Sequence, residues 1–202
     1  MSKKFAQCQL LFKERGLTLT RCERPWGITF EVISPDKSIQ GAAEVVVSAQ
    51  PTRNNALKDV LKVDSIKVDP SRRKARVGTL LYDALLAESC AQGLPLSSGT
   101  TRSHFAEAFW QKQQKKGRAT CIRGGGSVFQ SPLHELEHDR DTGKLSTKAY
   151  NETIARLPKP TKTDEYGRPM WSCRRYEINN TCDVETLAGL KRRKPSKPRK
   201  RQ

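Results

Sequence analysis

Chemistry is most legible in this sequence where a cluster of cations and a glycine follow an extended run. Ile66 and Val68 close a stretch of β-favouring residues, and Asp69, Pro70 and Ser71 interrupt it. Arg72, Arg73, Lys74 and Arg76 come next, and Gly78 and Thr79 lead into a long amphipathic segment. There Leu81, Ala84, Leu85 and Ala87 keep helical spacing and Gly93 is placed to end the helix. The first turn of a helix has N–H groups without intrahelical partners and the positive end of the helix dipole, so it suits a bound phosphoryl group. Gly78 has no side chain to hold that group off. A strand, a basic turn and a helix without a ligand is the other reading of so short a motif.

A second pattern is HELEH. His134 and His138 stand four apart with Glu135 beside the first, the spacing that sets two zinc-binding imidazoles and a water-activating carboxylate on one helix, and Glu152 would be a third ligand. Its flanks argue otherwise, since Pro132 precedes it and Asp139, Arg140, Asp141 and Gly143 follow, with no apolar residues to bury an active-site helix. The expectation is a charged surface turn and no metal, with zinc hydrolysis as a remote alternative.

The elements that must carry these residues follow from alternation and turn residues. Residues 1–16 fit a short helix or a strand. LTLTRCE from Leu17, GITFEVI from Gly27 and GAAEVVVSAQ from Gly41 read as an antiparallel meander; PTRNNALKD reads as a loop and LKVDSIKVD from Leu61 as a fourth strand. After Gly93, LPLSS is a short buried strand. Phe105, Ala108, Phe109 and Lys112 then keep the i, i+3, i+4, i+7 spacing of a helix that Gly117 stops.

The central stretch resembles the coenzyme-A-binding motif of the GCN5-related N-acetyltransferase (GNAT) family, a strand L-x-V-x-P followed by R-x-x-G-x-G and a helix. Ile66, Val68 and Pro70 match the strand, and Arg73 and Gly78 the first and last motif positions; Arg76 stands where the family has its first glycine. A second match is N-x-x-A-x-x-F-Y, at whose places stand Ser103, Ala106, Phe109 and Trp110. The resemblance covers roughly residues 17–122, with a last strand at 172–178. It implies an α/β (α+β) fold with a mixed, mostly antiparallel sheet flanked by helices over residues 1–180. Residues 123–170 form a long insert before the last strand, expected to help shape the acceptor pocket, and residues 181–202 a disordered basic tail.

The resemblance also implies transfer of an acyl group from acetyl-coenzyme A, or a related donor, to an amine of a protein, a small molecule or a nucleic-acid-associated group. Backbone N–H groups near Ile66 and Val68 would hold the thioester carbonyl. The backbone of Arg73, Lys74, Ala75, Arg76, Val77, Gly78 and Thr79 would hold the pyrophosphate. An amine of pKa about 10.4 is almost wholly protonated at neutral pH, so a general base is needed. Asp64 is the first choice, with Glu107 and His104 as rivals. The family's tyrosine acid is replaced by Trp110, leaving Tyr82 and Ser103 as substitutes to protonate the thiolate. That replacement keeps open a catalytically silent relative that binds nucleic acid or a ribonucleoprotein.

Charge frames these choices. Lys and Arg total 38 against 21 Asp and Glu, a net +17. Eight of those cations, with no acid, fall in KRRKPSKPRKRQ from Lys191, whose prolines block a continuous helix, so residues 191–201 are expected to meet nucleic acid through charge alone. The compact size and this tail would suit a phage or mobile-element protein. Only 35% of residues are hydrophobic, no apolar run could span a bilayer and no leader-like stretch follows Met1, so a cytoplasmic location is expected. The six cysteines show no C-x-x-C and are read as reduced thiols.

Overall fold

The computed structural model describes residues 9, 12–14, 16–51, 56–69 and 76–183. In chain order these form β1 (Thr18–Arg24), β2 (Gly27–Ile33), β3 (Ile39–Pro51), β4 (Leu57–Val68), α1 (Val77–Gln92), β5 (Leu96–Ser97), β6 (Thr101–Ser103), α2 (His104–Lys115), β7 (Thr120–Phe129), α3 (Ser131–Asp141), α4 (Thr147–Arg156), β8 (Lys162–Thr163) and β9 (Pro169–Ile178). Near the N-terminus, where helix and strand were both open, Gln9, Phe12 and Lys13 are helical.

The described strands make one mixed sheet in the order β1-β2-β3-β4-β5-β9-β7-β6, with β8 on β9. The β4–β5 and β6–β7 pairs are parallel and the others antiparallel, which is the mixed, mostly antiparallel sheet expected. Alternation dictates the meander: Phe30 and Val32, Ala43 and Val45, and Leu61 and Val63 turn inward and join the core with α1. None of the described helices is long and apolar enough to cross a membrane.

Five readings need correction. The segment expected to be amphipathic is buried nearly all round, since Asp83, Glu88 and Ser89 are enclosed along with Leu80, Leu81, Leu85 and Leu86. Each enclosed leucine is worth roughly 1.5–3 kcal/mol relative to exposure, which makes α1 the keel of the domain. Glu88 is tolerated there because Arg21 of β1 grips both its oxygens, at 2.8 and 2.9 Å.

The stretch taken as a loop before the fourth strand is itself strand from Leu57. Arg175 supports this longer hairpin by donating to the Pro51 carbonyl, and Lys58 Nζ does so by donating to Asn179 Oδ1 at 3.0 Å. The triple glycine, placed in the insert, belongs to β7, whose pairing with β9 has two register shifts, the second of them at these glycines. A Cβ on Gly126 would stand 2.7 Å from the Cys173 carbonyl oxygen and 2.8 Å from that of Thr100, a spacing only glycine allows. HELEH lies in α3, an eleven-residue helix and not a turn, with Pro132 in its first turn.

Last, four cysteines read as thiols are paired, Cys90 with Cys182 and Cys121 with Cys173; Cys22 is free and exposed. The partners are 92 and 52 residues apart in sequence, so no local spacing announces them. Neighbouring strands β7 and β9 bring Cys121 and Cys173 together, and the chain leaving β9 passes the end of α1.

Candidate functional site

The site is built on β4. Opposite it on β3, Glu44 faces Ser65 and Val45 faces Val63, so Asp64 is the extra residue of a β-bulge. On its other edge β4 pairs only at Leu61 and Lys62, with Leu96 and Ser97, because β5 is two residues long. Beyond Lys62 no described strand covers that edge. The Asp69 N–H donates to the Gln40 carbonyl at 3.0 Å, toward β3. Strand N–H groups alternate, so those of Ile66 and Val68 point to the uncovered edge. Two amides aimed the same way from an unpaired edge can polarise a carbonyl oxygen laid along it.

The start of α1 adjoins the end of this edge: a Cβ on Gly78 would stand 3.4 Å from Val68 Cγ2. Arg76 is the N-cap, in the left-handed region with φ 62° and ψ 18°, and its carbonyl accepts from the Leu80 N–H at 3.0 Å. Its side chain does not cap the helix, and the first turn carries no acid, so no described side chain of that turn competes with an anion for the leading amides. The left-handed backbone explains why the motif has glycine here. Val77 is buried, so it can offer only backbone, and Thr79 is half-buried. Pro70, Ser71, Arg72, Arg73, Lys74 and Ala75 lie outside the described residues, as do residues 191–201.

The residues considered for proton transfer fall in two places. Asp64 is exposed on β4 and pairs with Lys62 Nζ at 3.0 Å. The others cluster about α2. Ser103 is its N-cap and accepts from the Ala106 N–H at 3.3 Å. Glu107 is wholly buried: it accepts from Arg102 Nε at 2.7 Å, from the Tyr176 hydroxyl at 2.7 Å and from Gln111 Nε2 at 3.2 Å. Tyr82 stacks on Phe109 with ring centroids 3.5 Å apart and meets Trp110 edge-on. Burial pushes its hydroxyl well above the ordinary tyrosine value, with the Trp110 contact and the Arg102 charge opposing.

His104 is buried against the edge of Trp171, and its Nδ1 has no partner among the described residues. Burial lowers its pKa, opposed by the Glu107 charge. Trp110, at the tyrosine place of the second motif, is core, stacked over Tyr176.

Sequence reasoning missed Arg102 and Glu44. The buried Arg102 guanidinium donates to Glu107 and to the carbonyls of Gly99 (2.8 Å), Arg174 (2.9 Å) and Cys173 (2.6 Å), locking α2 to β9. Nothing in a chain of 38 cations marks this one as internal. Glu44, half-buried, accepts from Ser65 Oγ at 3.1 Å beside the bulge, a second carboxylate near Asp64 that strand pairing alone reveals. His134, Glu135 and His138 are exposed on α3, and Glu152 is exposed on α4; among the described residues no three His, Cys, Asp or Glu side chains gather as a metal site.

No protein-family model and no curated protein sequence matches the chain. Among solved structures, it is similar to a GNAT-family acetyltransferase from Staphylococcus aureus Mu50 at 16% identity, over 48% of this chain and 55% of that one, with a TM-score of 0.34. It is similar to AAC(6′)-Iy in complex with a bisubstrate analogue, coenzyme A-S-monomethyl-acetylneamine, at 19% identity, over 46% and 63% of the two chains, with a TM-score of 0.37. A third is the aminoglycoside antibiotic 6′-N-acetyltransferase AAC(6′)-Ih from Acinetobacter baumannii, at 14% identity, over 46% and 63%, with a TM-score of 0.34. The chain thus spans 55% to 63% of the length of these three proteins.

Proposed function

We propose that the protein is an N-acyltransferase that takes its acyl group from acetyl-coenzyme A and passes it to an amine. One juxtaposition carries the reading: the uncovered edge of β4 runs into the start of α1, whose first turn holds no acid, across the contact of Gly78 with Val68. A thioester carbonyl polarised by the Ile66 and Val68 amides and a pyrophosphate on the α1 amides would be served by one continuous surface. The exposed Arg76 side chain adds positive charge at the phosphate end.

The donor supplies an activated acyl carbon and a thiolate leaving group; the chain's residues do the rest. Asp64, exposed at the bulge, accepts the proton of the attacking amine, with Glu44 the nearest rival across the strand. Tyr82 is a poor source for the thiolate's proton, since burial raises its hydroxyl above the ordinary tyrosine value while a free thiol lies near about 8.5. Transfer would run uphill, so we assign that proton to solvent. The insert lies partly against α2, where Arg156, Leu157 and Pro158 face Ala108 and Lys112, and we assign it a share in holding the acceptor.

Calorimetric titration of the purified chain with acetyl-coenzyme A tests the reading. Saturable heat in the native protein that is lost in Gly78→Trp supports it. No heat at about 1 mM ligand overturns it.

A further inference from the structure

A groove of about 290 Å³ runs between α2 and the end of α4, away from the β4 edge in sequence and in elements. Lys112, Lys115 and Gln111 form one wall, and Arg156, Leu157 and Pro158 the other. Among the described residues no carboxylate lines it. Lys112 and Lys115 are three apart and therefore neighbours on one helix face. All three cations are exposed, and none has a hydrogen bond or ion pair with a described residue.

Both helices end here, and cations in a last turn commonly serve the helix dipole. The helix ends offset part of this charge, but none of the three side chains is paired with a carboxylate of a described residue. Elsewhere the structure neutralises its inward cations: Arg102 has Glu107, Arg175 has Glu177, and Arg21 has Glu88. Three unneutralised cations sharing one concave surface focus a positive field where it can attract an anion.

We infer that this groove binds the phosphodiester backbone of nucleic acid without reading its sequence. The charges on two walls suit a chain of phosphates laid between them. Among the described residues the lining has no aromatic ring to stack a base, so contacts are to the backbone, and salt dependence is their signature. Gln111 is held at this wall by its bond to Glu107, which ties the groove to the buried Arg102 hub. The same insert wall is assigned a share in holding the acceptor, but the binding measured requires no acyl transfer, and the charges at residues 191–201 are retained in every variant below.

The test is fluorescence anisotropy with a labelled single strand of mixed sequence and the matching duplex, titrated with the full chain at several salt concentrations. Lys112→Gln, Lys115→Gln and Arg156→Gln combined should weaken binding at least tenfold. They should also reduce the log–log salt slope by about 2 for the single strand, from three contacts at roughly 0.7 each. The charge-conserving combination Lys112→Arg, Lys115→Arg and Arg156→Lys should bind as the native chain does. An unchanged affinity and slope in the glutamine variant overturns the inference. So does displacement of the strand by pyrophosphate at equal charge concentration, which would make this a site for small phosphates.

Discussion

Replacing Arg76 with glycine separates what its backbone costs from what its side chain contributes. The residue is held at φ 62°, where a side chain meets its own carbonyl and costs about 1–2 kcal/mol. Glycine removes that strain but gives the unfolded chain more freedom, worth about 0.5–1 kcal/mol in the opposite direction. Glycine at an N-cap sacrifices little. The net expectation is a stabilisation of up to about 1.5 kcal/mol, read by urea denaturation as a higher midpoint with an unchanged slope. If the guanidinium meets the donor's pyrophosphate, the same change removes a charge-assisted bond of about 1.5–3 kcal/mol. Affinity for acetyl-coenzyme A should then fall roughly ten- to a hundredfold. Arg76→Lys, which keeps both strain and charge, should match the native stability and retain most of the affinity. A destabilised glycine variant would refute the strain argument, and a stabilised one with full affinity would refute the role given to the guanidinium.

Further outcomes follow from the same geometry. Asp64→Asn should lower turnover about a hundred- to ten-thousandfold, the usual worth of a general base, while leaving the melting temperature unchanged because the carboxylate is exposed; if Glu44→Gln has that effect instead, the roles are exchanged. Arg21→Ala leaves Glu88 enclosed with Gln92 Nε2, at 2.8 Å, as its remaining donor, and should cost about 2 kcal/mol in urea denaturation near neutral pH. The Arg21 bond holds the Glu88 pKa below the ordinary glutamate value, against the pull of burial. The contribution is therefore present above the unfolded pKa and lost as pH falls through the folded one, so the gap between native and variant should close in acid. Reduction of the disulfides, which close spans of 92 and 52 residues, should remove about 4 kcal/mol each by the chain-entropy relation. Alkylation of the unreduced, denatured chain should label Cys22 and spare Cys90, Cys121, Cys173 and Cys182; labelling of those four would exclude the pairing.

Much of the fold could be read in advance because its signals are local. Alternation around Phe30, Val32, Ala43 and Val45 marks strands, and Gly93 and Gly117, both with positive φ, end the helices where expected. The strand-to-helix run on which the proposed donor site rests was legible for the same reason, as Ile66, Val68 and Gly78 lie within one short stretch. What stayed hidden depends on residues distant in sequence. Arg102 is internal only because Gly99, Cys173, Arg174 and Glu107 converge on it, and Asp64 is a bulge only relative to β3. Helix α3 escaped notice because its residues are mostly polar. Its support comes from Leu136 turned inward and from Arg140 set 4.6 Å over the Tyr150 ring of α4.

The two sulfur bridges are nested, the Cys121–Cys173 pair lying inside the span closed by Cys90–Cys182. A protease nicking the backbone once at a position between residues 122 and 172 would therefore liberate nothing. The severed halves would travel as one species in electrophoresis without reductant and separate into two once it is added.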